Sequence, residues 1–193
     1  MAEEIFVSEN VKDRLILAGL KELDKHGVVD FSLRRVAIEA GVSCAAPYRH
    51  FKDKDELISA ILSYVMEGWT LLSGQIKQIY RDDFVGLISE LAVAGLRFFI
   101  ANGNFRTVIT SSPYLLSQKT RGLSDFEEPI IAAISALCEF TKTTDKNEVS
   151  FRVLSLLYGS ITLVSGGYEN FDEAASQLRR AVTCTLEQYG FDS

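Results

Sequence analysis

The chain has 193 residues, 47% of them hydrophobic and 24% charged, with a formal net charge of −6. That balance excludes a disordered chain, and the length accommodates a head of about 60 residues and a larger body, each within the limit of a single core. The acidic opening Met1-Ala2-Glu3-Glu4 has the wrong sign for a secretory signal, and the most apolar stretch, Leu91 to Ala101, is interrupted by Arg97 and too short to span a bilayer.

Helical periodicity runs through nearly the whole sequence, so the expected fold class is all-α, with about nine helices. A first helix is predicted from near Ser8, through Val11, Leu15, Ala18 and Leu23, to a stop at Gly27. Ser32 is a good N-cap for a second, whose apolar positions Leu33, Val36, Ala37 and Ala40 lead to Gly41, which permits a left-handed backbone. Val42 can fill the corner, and Ser43 is placed to cap a third helix running through Tyr48 to about His50. Two short helices joined by a tight turn form a helix-turn-helix, whose second helix suits the DNA major groove.

Asp53 and Glu56 open a fourth helix carrying Leu57, Ile61, Val65, Trp69 and Leu72. About twenty residues make a rod of roughly 30 Å leading from the head into the body. The domain boundary is accordingly placed at residue 54, with a DNA-binding head over 1–54 and a helical body over 55–193. Further helices are expected over Asp83–Ala101, ending at Asn102-Gly103, over Asn104–Thr110, stopping before Pro113, and over Phe126–Thr141, with Ser117–Asp125 as a loop. Asp145 and Glu148 open the next, which ends at Gly166-Gly167, and Asn170 and Glu173 open the last, which stops at Gly190.

The acidic total hides a basic segment. Between Phe31 and Lys54 five cations (Arg34, Arg35, Arg49, Lys52 and Lys54) face two carboxylates (Glu39 and Asp53), a local +3. An acidic body with one basic face discourages indiscriminate coating of DNA while leaving a surface attractive to phosphates.

Ala37, Ala40-Gly41-Val42-Ser43, Tyr48, Phe51, Lys54 and Glu56-Leu57, with His26-Gly27 and Phe31-Ser32 upstream, carry a family resemblance in their order and spacing. The segment resembles the DNA-binding domain of the tetracycline-repressor (TetR) family of bacterial transcription regulators. The likeness covers roughly the first third of the chain. Where the family commonly has a polar or basic residue, glycine, threonine and leucine, this chain has Cys44, Ala45, Ala46 and Pro47. Methyl-sized groups there suit thymine methyls, and Pro47 is tolerable near a first turn while shifting the helix start.

The resemblance implies DNA contacts from Ser32, Arg34, Arg35, Ser43, Cys44, Ala46, Pro47, Tyr48, Arg49, His50 and Lys54. Tyr48 stands where the family has a tyrosine on the DNA backbone, and base readout is expected to lean on Arg34 or Arg35, His50 and apolar contacts. It further implies a small-molecule site in the body, for which Trp69, Phe98, Phe99, Arg106, Tyr114, Phe126 and Tyr158 are the candidates. A homodimer is implied through the last two helices, with Val153, Leu156, Leu157, Ile161, Leu178, Val182 and Leu186 as candidate interface residues. Doubling the head has a physical motive, since one helix-turn-helix touches few base pairs.

Catalysis finds no support. Two histidines, His26 and His50, offer no metal site or triad, and no Walker, GxSxG or dinucleotide motif occurs. No cofactor and no metal are expected. Three cysteines without a CxxC pair suit a reducing compartment, so the expected location is the cytoplasm. The expected function is a ligand-responsive DNA-binding repressor acting on a near-palindromic operator. The alternative is a DNA-binding protein of the same fold that answers to a protein partner or to no ligand.

Overall fold

The structure, a computed structural model, describes residues 10–103, 113–141 and 145–189, with 113–123 as backbone only. Among the described residues there are eight helices and no strand: α1 (Val11–His26), α2 (Leu33–Glu39), α3 (Pro47–His50), α4 (Lys54–Ile79), α5 (Phe84–Ala101), α6 (Pro113–Thr141), α7 (Lys146–Ser165) and α8 (Phe171–Glu187). The all-α class is as the periodicity predicts. The ninth expected helix, Asn104–Thr110, and the stop at Gly190 lie outside the described residues.

The residues form two compact units. The first contains α1 to α3, α4 as far as Val65 and the opening of α6 as far as Gln118; the second contains Met66–Gly103 and the chain from Lys119 onward. The division falls beyond residue 54 because the first turns of α4 are core material. Leu57, Ile58 and Ile61 pack with Leu15, Ala18, Leu23, Phe31, Val36, Ala40 and Phe51 in one apolar cluster. A head ending at residue 54 would leave that cluster open.

Within this unit the caps decide the boundaries. α1 begins at Val11 rather than near Ser8, because the Asn10 side chain accepts the Asp13 amide at 3.0 Å; Ser8 itself lies outside the described residues. Ser32 caps α2, and Gly41 closes it at φ 65°. There the Gly41 amide donates to Ile38 and the Val42 amide to Ala37, each at 3.0 Å, the paired bonds of a Schellman closure. At the start of α4 the Glu56 amide donates to Asp53, and the Glu56 carboxylate accepts the Lys52 amide.

The third helix departs from expectation. It starts at Pro47, not after Ser43, and no side chain caps it. Proline has no N–H to give the Ser43 carbonyl, and its ring crowds that oxygen, so a helix spanning 43–47 cannot close. The Ala46 amide turns back to Ser43 at 2.9 Å instead, and Cys44 to Ala46 become a turn.

In the second unit α5, α7 and α8 pack against one another. Their shared core includes Ile88, Leu91, Val153, Leu157, Leu178 and Val182, all buried. Asp83, Asp145 and Asn170 cap these helices through their side chains. The apolar stretch at α5 runs the full eighteen residues of the helix, long and apolar enough to cross a bilayer, with α4 passing the same test. Burial against α7 and α8 accounts for the apolar character of α5. The segment Ser117–Asp125 is not a loop but part of α6, which Pro113 opens. Proline suits a first helical position, and Gln118, Lys119, Arg121 and Leu123 are good helix formers that outweigh the one glycine.

The left-handed turn at Gly41 gives a direct test. Gly41→Ala places a Cβ at φ 65° and 3.1 Å from the Arg14 guanidinium. The substitution is expected to destabilise the head by about 1–2 kcal/mol, read as a lower urea midpoint at unchanged slope.

Candidate nucleic-acid interface

α1 holds both ends of α2. At its start, the Glu22 carboxylate, only 6% exposed, lies beneath the N-cap. Its Oε1 accepts the Ser32 amide at 3.1 Å and the Arg35 Nε at 2.7 Å, and its Oε2 is 3.8 Å from His26 Nε2. The Arg35 guanidinium also donates to the Asp30 carbonyl. At the other end, the Arg14 guanidinium donates to the carbonyls of Ala40 and Gly41. Burial opposes the Glu22 charge, but the Arg35 and Ser32 hydrogen bonds and the nearby Arg35 and His26 charges outweigh it, holding the carboxyl below its ordinary range.

The cations of the segment therefore divide into two sets. Arg35 is tied to Glu22 and Asp30, and Lys54 donates to the Val28 carbonyl at 2.6 Å while lying over the Phe31 ring. Lys21, outside the segment, pairs with Glu39 at 3.0 Å. Arg34, Arg49 and Lys52 are exposed, and no side-chain hydrogen bond or ion pair engages them among the described residues. Tyr48 is 65% exposed and His50 is exposed as well, so Tyr48 is not part of the three-helix core; Phe51, at 3%, is.

Ser32 is half-buried and uses its hydroxyl to accept the Arg35 amide at 3.4 Å. Ser43 and Cys44 are exposed. Ala46 and Pro47 are both buried, against their expected place on the DNA face. The delayed start of α3 turns them inward, and the small exposed residues before the helix are Cys44 and Ala45. Sequence reasoning missed Arg14 and Glu22. Glu22 left a readable signal, since it occupies the same helical stripe as Ala18 and Gly19, where a carboxylate must find partners.

In the body, Trp69, Phe98, Phe99 and Phe126 are buried together, with ring centroids 4.5 Å apart for Phe99–Phe126 and 4.8 Å for Trp69–Phe126. The Trp69 indole donates to the Phe126 carbonyl at 3.1 Å. Tyr158 meets Phe99 edge-on and donates to Glu127 at 2.6 Å; burial and that carboxylate push its phenol well above the usual range. Arg106 and the Tyr114 side chain lie outside the described residues.

The proposed interface residues require correction. Val153, Leu157, Ile161, Leu178, Val182 and Leu186 are at most 2% exposed within the single chain, and Leu156 is half-buried. Those six fill the core among α5, α7 and α8 within the single chain. The outward stripe of α7 is Phe151, Ser155, Gly159 and Leu163, spaced four apart.

The Glu22 shift predicts how the head responds to acid. A depressed carboxyl contributes stability that is present above its unfolded pKa, about 4.3, and is lost as pH falls through its lower folded value. Wild type is expected to lose more stability than Glu22→Gln between roughly pH 5 and pH 3, measured by urea unfolding across that range.

Residues 15–61 match the family model described as bacterial regulatory proteins, tetR family. An HTH-type transcriptional regulator of Staphylococcus aureus (strain bovine RF122 / ET3-1) is 34% identical over 64 residues, which are 33% of this chain and 35% of that protein. The chain thus aligns with about a third of the length of such curated relatives. A TetR transcription regulator from Haloarcula marismortui superposes with a TM-score of 0.75 at 19% identity, covering 93% of this chain and 97% of that one. The transcriptional regulator FadR from Bacillus subtilis, solved with stearoyl-CoA, gives a TM-score of 0.71 at 12% identity, over 88% of this chain and 96% of that one. Identities this low speak for the fold alone. The helix-turn-helix unit is thus similar to that of the tetR family of bacterial regulatory proteins, and the chain shares its fold with solved TetR regulators.

Proposed function

We propose that this protein is a DNA-binding transcriptional regulator, a repressor that binds a near-palindromic operator as a homodimer in the cytoplasm and is released by a small molecule. The observation that carries the reading is the helix-turn-helix held at both ends by α1, with Arg34, Tyr48, Arg49 and His50 exposed on it. Unpaired guanidinium groups on such a motif are what phosphate and guanine edges attract. Lys54 and Arg35, committed to the head's own groups, act as braces in this reading.

Dimerisation falls to the outward stripe of α7, in place of the buried residues. Phe151 and Leu163 are 73% and 49% exposed, and a Cβ at Gly159 meets nothing within 4 Å. Flanking small residues let a second helix approach closely. The body's aromatic cluster, bordered by the Tyr158–Glu127 pair, favours an effector with an apolar part and one polar end. The stearoyl-CoA held by the Bacillus subtilis neighbour is of that class. α4 is the element through which release would act, since its residues belong to both units. A coupling of about 1–3 kcal/mol suffices for a 5–150-fold change in DNA affinity.

Selection from a random duplex pool with wild-type protein tests the reading. Enrichment of a near-palindrome, bound with a Kd of roughly 10⁻⁸ to 10⁻¹¹ M at physiological salt, is expected; recovery of no preferred sequence overturns it. On the selected DNA, Arg34→Ala and Arg49→Ala are each expected to reduce the slope of log K against log salt by about 0.9. Lys54→Ala should lower thermal stability and leave that slope in place. Leu163→Asp should shift the protein to monomer in sedimentation and weaken binding to the full palindrome more than to a half-site.

A further inference from the structure

A buried carboxylate inside the head has no part in the DNA contacts above, yet every strong bond it makes goes to the helix that carries them. Glu22 Oε1 receives the Ser32 amide, which is the N-cap residue of α2, and Arg35, the third residue of that helix. Arg34 lies between these two anchored residues and is exposed without a side-chain partner among the described residues. The position of Arg34 is therefore set from below.

Charge supports the same assignment. Arg35 sits against a carboxylate at 2.5 Å, so its charge is already neutralised by a group in the fold. A guanidinium compensated in this way releases no counterion from DNA. The other charged groups around this cleft are Lys21, Lys25, His26 and Glu39, with Lys21 and Glu39 paired to each other. None of these reaches the N-cap; Glu22 alone among the described residues bonds the Ser32 amide.

We propose that Glu22 is a positioning residue for operator recognition: by holding Ser32 and Arg35 it fixes the α2 start so that Arg34 meets phosphate, and it withholds Arg35 from the DNA. The proposal rests on the operator-binding reading. It makes Glu22 more than a stability element, because what depends on it is discrimination between operator and other DNA. Non-specific attraction needs only net charge, whereas operator binding needs the contacts in register.

The test compares wild type, Glu22→Gln and Glu22→Leu on the pool-selected duplex and on scrambled DNA of the same length, by fluorescence anisotropy. Glu22→Leu suits the apolar stripe of Ala18 and Gly19, so it keeps the head folded if the glutamine variant does not. Both variants are expected to lose roughly tenfold in the ratio of selected to scrambled affinity, the loss of about one charge-assisted hydrogen bond, with scrambled binding equal or tighter. Arg35→Ala is expected to leave the salt slope of wild type unchanged. An unchanged ratio in folded Glu22→Leu, with only the melting temperature moved, overturns the positioning role. So does a slope reduced by about 0.9 in Arg35→Ala, which would make Arg35 itself the phosphate contact. Failure of wild type to select any sequence is a different outcome, which removes the operator reading and this inference with it.

Discussion

The grip of α1 on both ends of α2 is the constraint on which the head depends. A seven-residue helix is far below the length at which helical hydrogen bonding sustains itself in water, so its geometry must be imposed from outside. Arg14 satisfies the carbonyls at one end and Glu22 the N-cap amide at the other, while Val36 packs into the apolar cluster and Ala37 beside it is fully buried. Gly41 then reverses the chain without steric penalty. The four-residue α3 has even less autonomy, and Phe51 beneath it in the core fixes where it stands.

The same bonds sort the charges. A basic segment counted along the sequence treats all its cations as equivalent, but a cation bonded to a carbonyl or a buried carboxylate has already found a partner. Arg35 and Lys54 are in that state, and Arg34 and Arg49 are not. What is left to meet a partner outside the head is thus a smaller and more defined set than the composition suggests. An acidic chain with two or three well-placed free cations is suited to binding in register rather than to wrapping nucleic acid.

In the body the organising feature is aromatic. Trp69 from α4, Phe98 and Phe99 from α5 and Phe126 from α6 bring three helices to one point, and the Trp69 indole finds its acceptor at the Phe126 carbonyl. Such rings bury large areas and tolerate rearrangement among offset and edge-on contacts. Tyr158 and Glu127 add a polar pair at the margin of this cluster. α5, α7 and α8 also share an aliphatic core, and its filling explains why the apolar stripes of α7 and α8 are interior.

The sequence by itself determined the helical class, the caps at Ser32, Asp53, Asp145 and Asn170 and the reversal at Gly41, because these are local, the caps reaching backbone amides only two or three residues away. Its family pattern was legible for the same reason, as a run of short-range spacings. Only the tertiary structure decided which face of each helix looks outward. The stripe of Val153, Leu157 and Ile161 reads equally as core or as interface until the helix opposite it is known, and here α5 and α8 fill that place. Pro47 announced a shifted helix start, but the burial of Ala46 was decided by the packing of the folded head. The bonds of Glu22 to Ser32 and Arg35 join different elements, at separations of ten and thirteen residues. Periodicity carries no information about such pairs, since they exist only once packing has set α1 beside α2.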